Sequence, residues 1–312
     1  MHQLLIDTDP GVDDALAILM AHAHPDAHVV AMTIAAGNVG LASTTSNALK
    51  LVELMGTDTP VYPGCPTPLV LPADDAAFVH GNDGFGDVGH APALRGAETE
   101  HASLAMLRLA RQFPGQLTFV MLAPLTNLAV ALKLDPDLPR LVRRLVVMGG
   151  AVTGRGNLPR TPVEFNIGFD PEAAHIVFST WPSVELVDWE ATMRHGFAFA
   201  QFEDWIRRDD ARAQFYAGIS GKTRAYMQRS RDPSHWHAAD ALAMAVALEP
   251  DEVEVWAERH LEVELHGLAT RGATVVDWDQ RNGRDPNTMI AMRFRQQRFE
   301  QMMAQALGHE GD

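Results

Sequence analysis

Short apolar runs alternate with stretches of helical spacing along most of the chain. Residues 4–6, 29–35, 117–122, 145–148 and 184–187 are nearly continuous apolar runs bounded by polar or turn-forming residues, and they predict buried strands. Between them, 15–23, 43–55, 103–113, 125–134 and 171–178 repeat apolar residues at helical intervals and predict helices. Strand-helix alternation of this kind implies an α/β architecture, with a mostly parallel, twisted sheet covered on both faces. Sheets of this type bind ligands in the crevice at the carboxyl ends of their strands. Residues 60–75, 80–89 and 149–162 are rich in Gly, Pro and Asp and predict loops. The stretch 197–226 is more helical and more polar, 262–265 with 274–277 predicts a late hairpin, and 294–306 a terminal helix. No Ser/Gly/Pro-rich linker interrupts the alternation, so a single domain spanning 1–312 is expected.

Composition narrows this picture. With 46% hydrophobic residues the chain can bury a sizeable core. A net charge of −15, without any basic run, disfavours nucleic acid or an anionic membrane as partner. Cys65 is the only cysteine, which excludes an internal disulfide and a thiolate metal cluster. No basic leader followed by a long apolar stretch is present, and no apolar run is long enough to span a bilayer, so a soluble cytoplasmic protein is expected.

Chemistry concentrates where the first predicted strand meets the first predicted helix. Asp7-Thr8-Asp9-Pro10-Gly11-Val12-Asp13-Asp14 packs four carboxylates into eight residues. A helix start uses one or two acids as caps. Four of them repel one another and cost several kcal/mol to desolvate unless a cation or proton compensates. A hard divalent cation is the simplest compensation. All-oxygen ligation suits Ca²⁺ or Mg²⁺, and the lack of a Cys/His cluster argues against zinc. Asp-x-Asp after an N-terminal strand also resembles the opening of the haloacid-dehalogenase-type phosphatases. Here, however, Gly11 stands where those enzymes carry Thr or Val, and the chain has only three lysines, Lys50, Lys133 and Lys222, to supply the one they need.

The segment from Asp7 to Ile18 closely resembles the N-terminal signature of the calcium-dependent nucleoside hydrolases. Further matches follow in order: Ala36-Gly37-Asn38, His80-Gly81-x-x-Gly84, Ala123-Pro124-Leu125-Thr126-Asn127, Met148-Gly149-Gly150, Glu164-Phe165-Asn166, Asp170-Pro171-Glu172-Ala173-Ala174, and Asp240 at a helix start. The resemblance runs from Leu5 to about Phe299. It implies an open, Rossmann-like nucleoside hydrolase fold and hydrolysis of the N-glycosidic bond of ribonucleosides to ribose and free base. By motif position, Asp9, Asp14, Asp240 and the main-chain carbonyl of Leu122 would ligate Ca²⁺. The ribose 2′ and 3′ hydroxyls and one water would complete a shell of roughly seven or eight oxygens. Asp9 would also act as general base on the attacking water, whose pKa a metal lowers. Asp13, Asn38, Glu164 and Asn166 would hydrogen-bond the sugar, Asn157 its 5′ side, and His80 would lie near the base. Asp7 would support the site from behind. The resemblance also implies a homodimer or homotetramer.

One position departs from the pattern. A group of the family carries His immediately before the last metal-binding Asp, and here that residue is Ala239. Two histidines and a tryptophan lie just upstream, in Ser234-His235-Trp236-His237. His237 sits about one helical turn before Asp240 if the helix reaches back that far. Either His237 or His235 replaces the missing acid, or Trp236 stacks on the base and raises its basicity, or all three are loop-packing residues. Phe165 could wall the pocket, and Tyr226 and Gln228 are candidate base contacts. Trp181, Trp189, Trp205, Trp256 and Trp278 read as core or surface aromatics. The missing acid also keeps open a catalytically idle ribose- or nucleoside-binding protein.

Overall fold

The computed structural model describes residues 1–159, 162–230 and 233–309. The central sheet contains β1 (His2–Thr8), β2 (Ala27–Ile34), β3 (Val61–Pro63), β4 (Leu117–Met121), β5 (Arg144–Met148) and β6 (Val184–Val187). Two short strands, β7 (Phe197–Ala198) and β8 (His235–Trp236), pair separately, as do β10 (Leu261–Val263) and β11 (Thr274–Val276). The late strands β9 (Val253–Arg259) and β12 (Thr288–Phe294) return to the main sheet, whose order is β3-β2-β1-β4-β5-β6-β12-β9. All neighbours in it are parallel except the outermost pair, β12 with β9.

The helices are α1 (Val12–Ala23), α2 (Leu41–Met55), α3 (Ala77–His80), α4 (Ala102–Gln112), α5 (Thr126–Leu134), α6 (Phe165–Phe169) and α7 (Pro171–Thr180). They continue with α8 (Trp189–Arg194), α9 (Phe199–Ile206), α10 (Ala211–Ile219), α11 (Gly221–Ser230), α12 (Ala239–Leu248) and α13 (Gln296–Ala306). Their arrangement on the sheet follows from side-chain alternation in the strands. Leu4, Ile6, Val120, Val146 and Met148 face one buried cluster, shared with α1, α12 and α13. Leu5, Phe119, Met121, Leu145 and Val147 face the other, shared with α4, α5 and α7. Successive strand residues point to opposite faces, so a sheet covered on both sides needs apolar residues at every position. Each such side chain contributes about 1.5–3 kcal/mol by burial.

The five predicted strands and five predicted helices all form, within one to three residues at their ends. The late hairpin forms as β10 with β11. The terminal helix begins at Gln296, later than expected, because Phe294 is still the last residue of β12. The loop expected at 60–75 contains the short β3. Part of the 149–162 loop, Arg160 and Thr161, lies outside the described residues. Among the described residues, no helix is long and apolar enough to cross a membrane.

Candidate active site

The acids meet at the carboxyl ends of the central strands. β1 delivers Asp7 and Asp9, both buried, and the Pro10-Gly11 turn leads directly into α1. Asp14, in the first turn of α1, accepts from its own helix at Gly11 N (3.0 Å) through Oδ2 and from Thr8 Oγ1 (2.6 Å) through Oδ1. Asn38, in the loop after β2, braces both acids: its backbone N donates to Asp9 Oδ2 (2.6 Å) and its Nδ2 to Asp14 Oδ2 (2.9 Å) and Asp9 O (3.1 Å). A side chain at Gly37 would place Cβ 2.1 Å from Asp9 Oδ2, so this approach requires glycine. α12, packed along α1, brings Asp240 to the same point. Asp13, Asp14 and Asp240 each place a carboxylate oxygen within 4.8 Å of the others. Asp13 belongs to this grouping with Asp14 and Asp240, and Asp9 stands beside it, its carboxylate held by Asn38 N.

Burial dominates the electrostatics. It raises the carboxyl pKa of Asp9 and Asp240 well above the usual range, with neighbouring aspartates adding to the shift. Asp14 is raised for the same reasons, and Asp13 is pushed up to about 6 by burial. Asp13 Oδ1 is buried with no hydrogen-bond partner. No Lys or Arg is found among the described residues that line the cleft. Three buried carboxylates and the partly exposed Asp13, one oxygen of which has no partner, form an all-oxygen donor set that fits a hard divalent cation.

His80, at the end of α3, is buried beside them. Its Nδ1 accepts from Val12 N (3.1 Å), which places the ring proton on Nε2, and burial lowers its pKa to about 4 against the opposing pull of Asp14. Glu164 caps α6, accepting from Asn166 N (3.0 Å), Ile167 N (3.2 Å) and Gly150 N (2.9 Å), while burial pushes its pKa up to about 7. Asn166 Nδ2 donates to the Leu122 carbonyl (2.7 Å), and Asn157 Oδ1 accepts from Phe165 N (2.8 Å). Asp7 stands behind the cluster, accepting from Thr33 Oγ1 (2.7 Å) and Asn127 Nδ2 (2.9 Å).

The cleft above the acids is lined by Asp13, Asn38, His80, Leu122, Asn157, Glu164, Phe165, Asn166, Trp236, His237 and Asp240, along with Ala239.

Comparison with known proteins places this geometry. The profile of the inosine-uridine preferring nucleoside hydrolases matches residues 4–301. The chain belongs to that family. The non-specific ribonucleoside hydrolase RihC of Salmonella newport is 33% identical over 307 residues, covering 98% of this chain and 97% of that one. Among solved structures, a plant nucleoside hydrolase superposes with a TM-score of 0.92 at 31% identity, over 99% of both chains. A purine-preferring ribonucleoside hydrolase from Gardnerella vaginalis superposes with a TM-score of 0.89 at 29% identity, over 98% of both. The protein is thus a ribonucleoside hydrolase, which displaces both the phosphatase and the idle-binder readings.

The structure gives the three side chains expected on the base side different surroundings. His237 lies ahead of α12, which starts at Ala239, so it is not one helical turn below Asp240 on a common helix. It is nevertheless buried in the cleft wall, with Nδ1 3.3 Å from Thr192 O. His235 is exposed, pairs through Nδ1 with Ser234 Oγ (2.8 Å) and does not line the cleft. Trp236 lines it, but one face of its indole is covered by Phe202 in a parallel stack at 4.6 Å, so that face is closed to a base.

Tyr226 reaches the cleft, whereas Gln228 does not. Trp189 packs in the core as expected and also lines the cleft, as do Phe78, Met148, Thr223 and Met227. Trp189 immediately follows Asp188 at the carboxyl end of β6, and that position was the available signal.

Proposed function

We propose that this hydrolase cleaves the N-glycosidic bond of ribonucleosides in a Ca²⁺-dependent reaction, giving ribose and a free purine or pyrimidine base. The observation carrying this reading is the cluster of Asp13, Asp14 and Asp240 in a cleft that also presents Asn38, Glu164 and Asn166. Asp9, Asp14, Asp240 and the Leu122 carbonyl would hold the cation by motif position, and the proximity of Asp13 adds a further oxygen. When bound, Ca²⁺ supplies Lewis acidity that acidifies the attacking water and offsets the clustered negative charge.

The residues divide the rest of the reaction. The C1′–N bond breaks through a cation-like sugar, which nearby anionic and amide groups stabilise. Glu164, Asp13, Asn38 and Asn166 hold the ribose, and Asn157 its 5′ side. Water oxygen bonds to C1′; Asp9 takes one water proton, and the departing base nitrogen gains a proton. His237 is the group we assign to that second transfer. His80, neutral with its proton on Nε2, serves as a hydrogen-bond donor toward the base. Trp236 contributes to substrate binding as a wall of the cleft, not as a stacking platform on its Phe202 face. The same reading takes 1–312 as one catalytic domain that assembles as a homodimer or homotetramer in the cytoplasm.

The test is ribose release from inosine, uridine and p-nitrophenyl riboside, with a phosphomonoester as control, before and after EGTA. Release that is lost on chelation and restored by Ca²⁺ is expected; release indifferent to EGTA refutes the metal role.

A further inference from the structure

The loop that carries Asn157 is clamped by a residue that no part of the reading above uses. Glu190, the second residue of α8, is only 8% exposed. Its Oε1 accepts from two backbone amides of the loop, Thr153 N (2.8 Å) and Arg155 N (3.1 Å), and its Oε2 accepts from Thr153 Oγ1. Asp188 takes the preceding loop amide, Val152 N (3.0 Å), and caps α8 at Ala191 N (2.8 Å). Trp189, between these two acids in sequence, donates its backbone N to Gly150 O (2.9 Å) and lines the cleft. On its far side the loop is held by backbone bonds from Asn157 N and Leu158 N to Val163 O (3.1 and 3.2 Å). At Gly156 any Cβ would lie 1.9 Å from that same oxygen. Three charge-assisted bonds from the loop converge on this one buried carboxylate. They fix the height of the 153–157 backbone relative to the Trp189 wall.

We infer that Glu190 is a positioning residue for the 5′ side of the sugar: through Thr153 and Arg155 it sets where Asn157 meets the 5′-hydroxyl. The inference rests on the reading of Asn157 given above. It follows that Glu190 affects only substrates that carry a 5′-hydroxyl.

The experiment compares kcat/KM for inosine and 5′-deoxyinosine in the parent enzyme and in Glu190→Ala, Glu190→Gln, Asn157→Ala and the double variant E190A/N157A. The parent is expected to prefer inosine by roughly 2- to 13-fold, the worth of about one hydrogen bond. Asn157→Ala and Glu190→Ala should each bring that ratio close to 1, and the double variant should lower it no further. Glu190→Gln keeps an acceptor oxygen and should restore much of the preference. Should Asn157→Ala abolish the preference while Glu190→Ala leaves it intact, or lowers both substrates equally, the positioning role is overturned and the Asn157 reading stands. Should Asn157→Ala leave the ratio unchanged, both are overturned. Thr153→Val, which removes only the hydroxyl bond, provides a milder variant if Glu190→Ala does not fold, and it should narrow the ratio; an unchanged ratio counts against the clamp.

Discussion

Gly37→Ala is the sharpest perturbation of the site, because it touches catalysis without altering any ionisable or ligating group. The added Cβ would lie 2.1 Å from Asp9 Oδ2 and 2.9 Å from both Asp9 Cγ and Pro124 Cδ. To regain the 3.4 Å of an ordinary contact, the carboxylate oxygen must retreat by about 1.3 Å. It cannot do so while keeping its 2.6 Å bond from Asn38 N, and the proline ring blocks an equal movement by the alanine. A misplacement of about 1 Å in a catalytic group costs on the order of 100-fold in rate, or about 2.7 kcal/mol in the barrier. Crowding one methyl into a packed region costs about 1–3 kcal/mol of stability, so Tm should fall by only several degrees. The assay is kcat on inosine at saturating substrate, beside a thermal melt. Gly40→Ala is the control, since a Cβ there meets nothing within 4 Å. A Gly37→Ala enzyme whose kcat stays within about threefold of the parent would refute the claim that Asp9 must occupy its present position.

Other outcomes follow from the same geometry. His237→Ala should lower kcat on inosine by about 100-fold or more while p-nitrophenyl riboside, whose leaving group needs no proton, is much less affected; equal losses on both would remove His237 as the acid. Chelation should lower Tm as well as activity, because a ligand present at 100 times its Kd stabilises by about 2.7 kcal/mol; a melt unchanged by EGTA and by added Ca²⁺ would contradict the cation reading. Burial raises the Asp7 pKa from 3.8 to about 7, so the folded state keeps a proton that the unfolded chain loses. That contribution to stability is complete below pH 3.8 and is lost as pH rises toward 7. Asp7→Asn should therefore gain stability relative to the parent as pH increases across this window, measured by urea unfolding of the chelated proteins, and a constant difference would show that Asp7 is already ionised at its lower end.

The middle of the sheet was legible in the sequence because β1, β2, β4, β5 and β6 are buried on both faces and so must be continuously apolar. β9 and β12 were not, and the reason differs from strand to strand. β9, at the sheet edge, mixes charged and apolar residues, with three of its seven residues exposed. β12 runs to Phe294, the residue at which the sequence pattern starts the terminal helix. The acids were legible as a group, since four carboxylates in one turn have few uses. Their individual roles were less so, because in the sequence Asp9 and Asp13 differ only in which side of a Pro-Gly turn they occupy. The base side was less legible for a related reason. The start of α12 is marked by no capping side chain at Ala238, so nothing in the sequence showed that the helix stops short of His237. The partner that covers Trp236 is Phe202, on a different helix, and contacts of that kind leave no local pattern.

Asp14 and Asp240 stand on α1 and α12, helices from opposite ends of the sequence that pack side by side. A cation held between them would close a loop containing most of the protein, the kind of long-range contact that is slow to form. On the ribosome, the nascent chain carries an incomplete acidic cluster until Asp240 has been made. If Ca²⁺ binds there as proposed, its uptake by refolding protein reports the joining of these two helices, and a chain shortened before Asp240 should show no such uptake, however much of the sheet it has built.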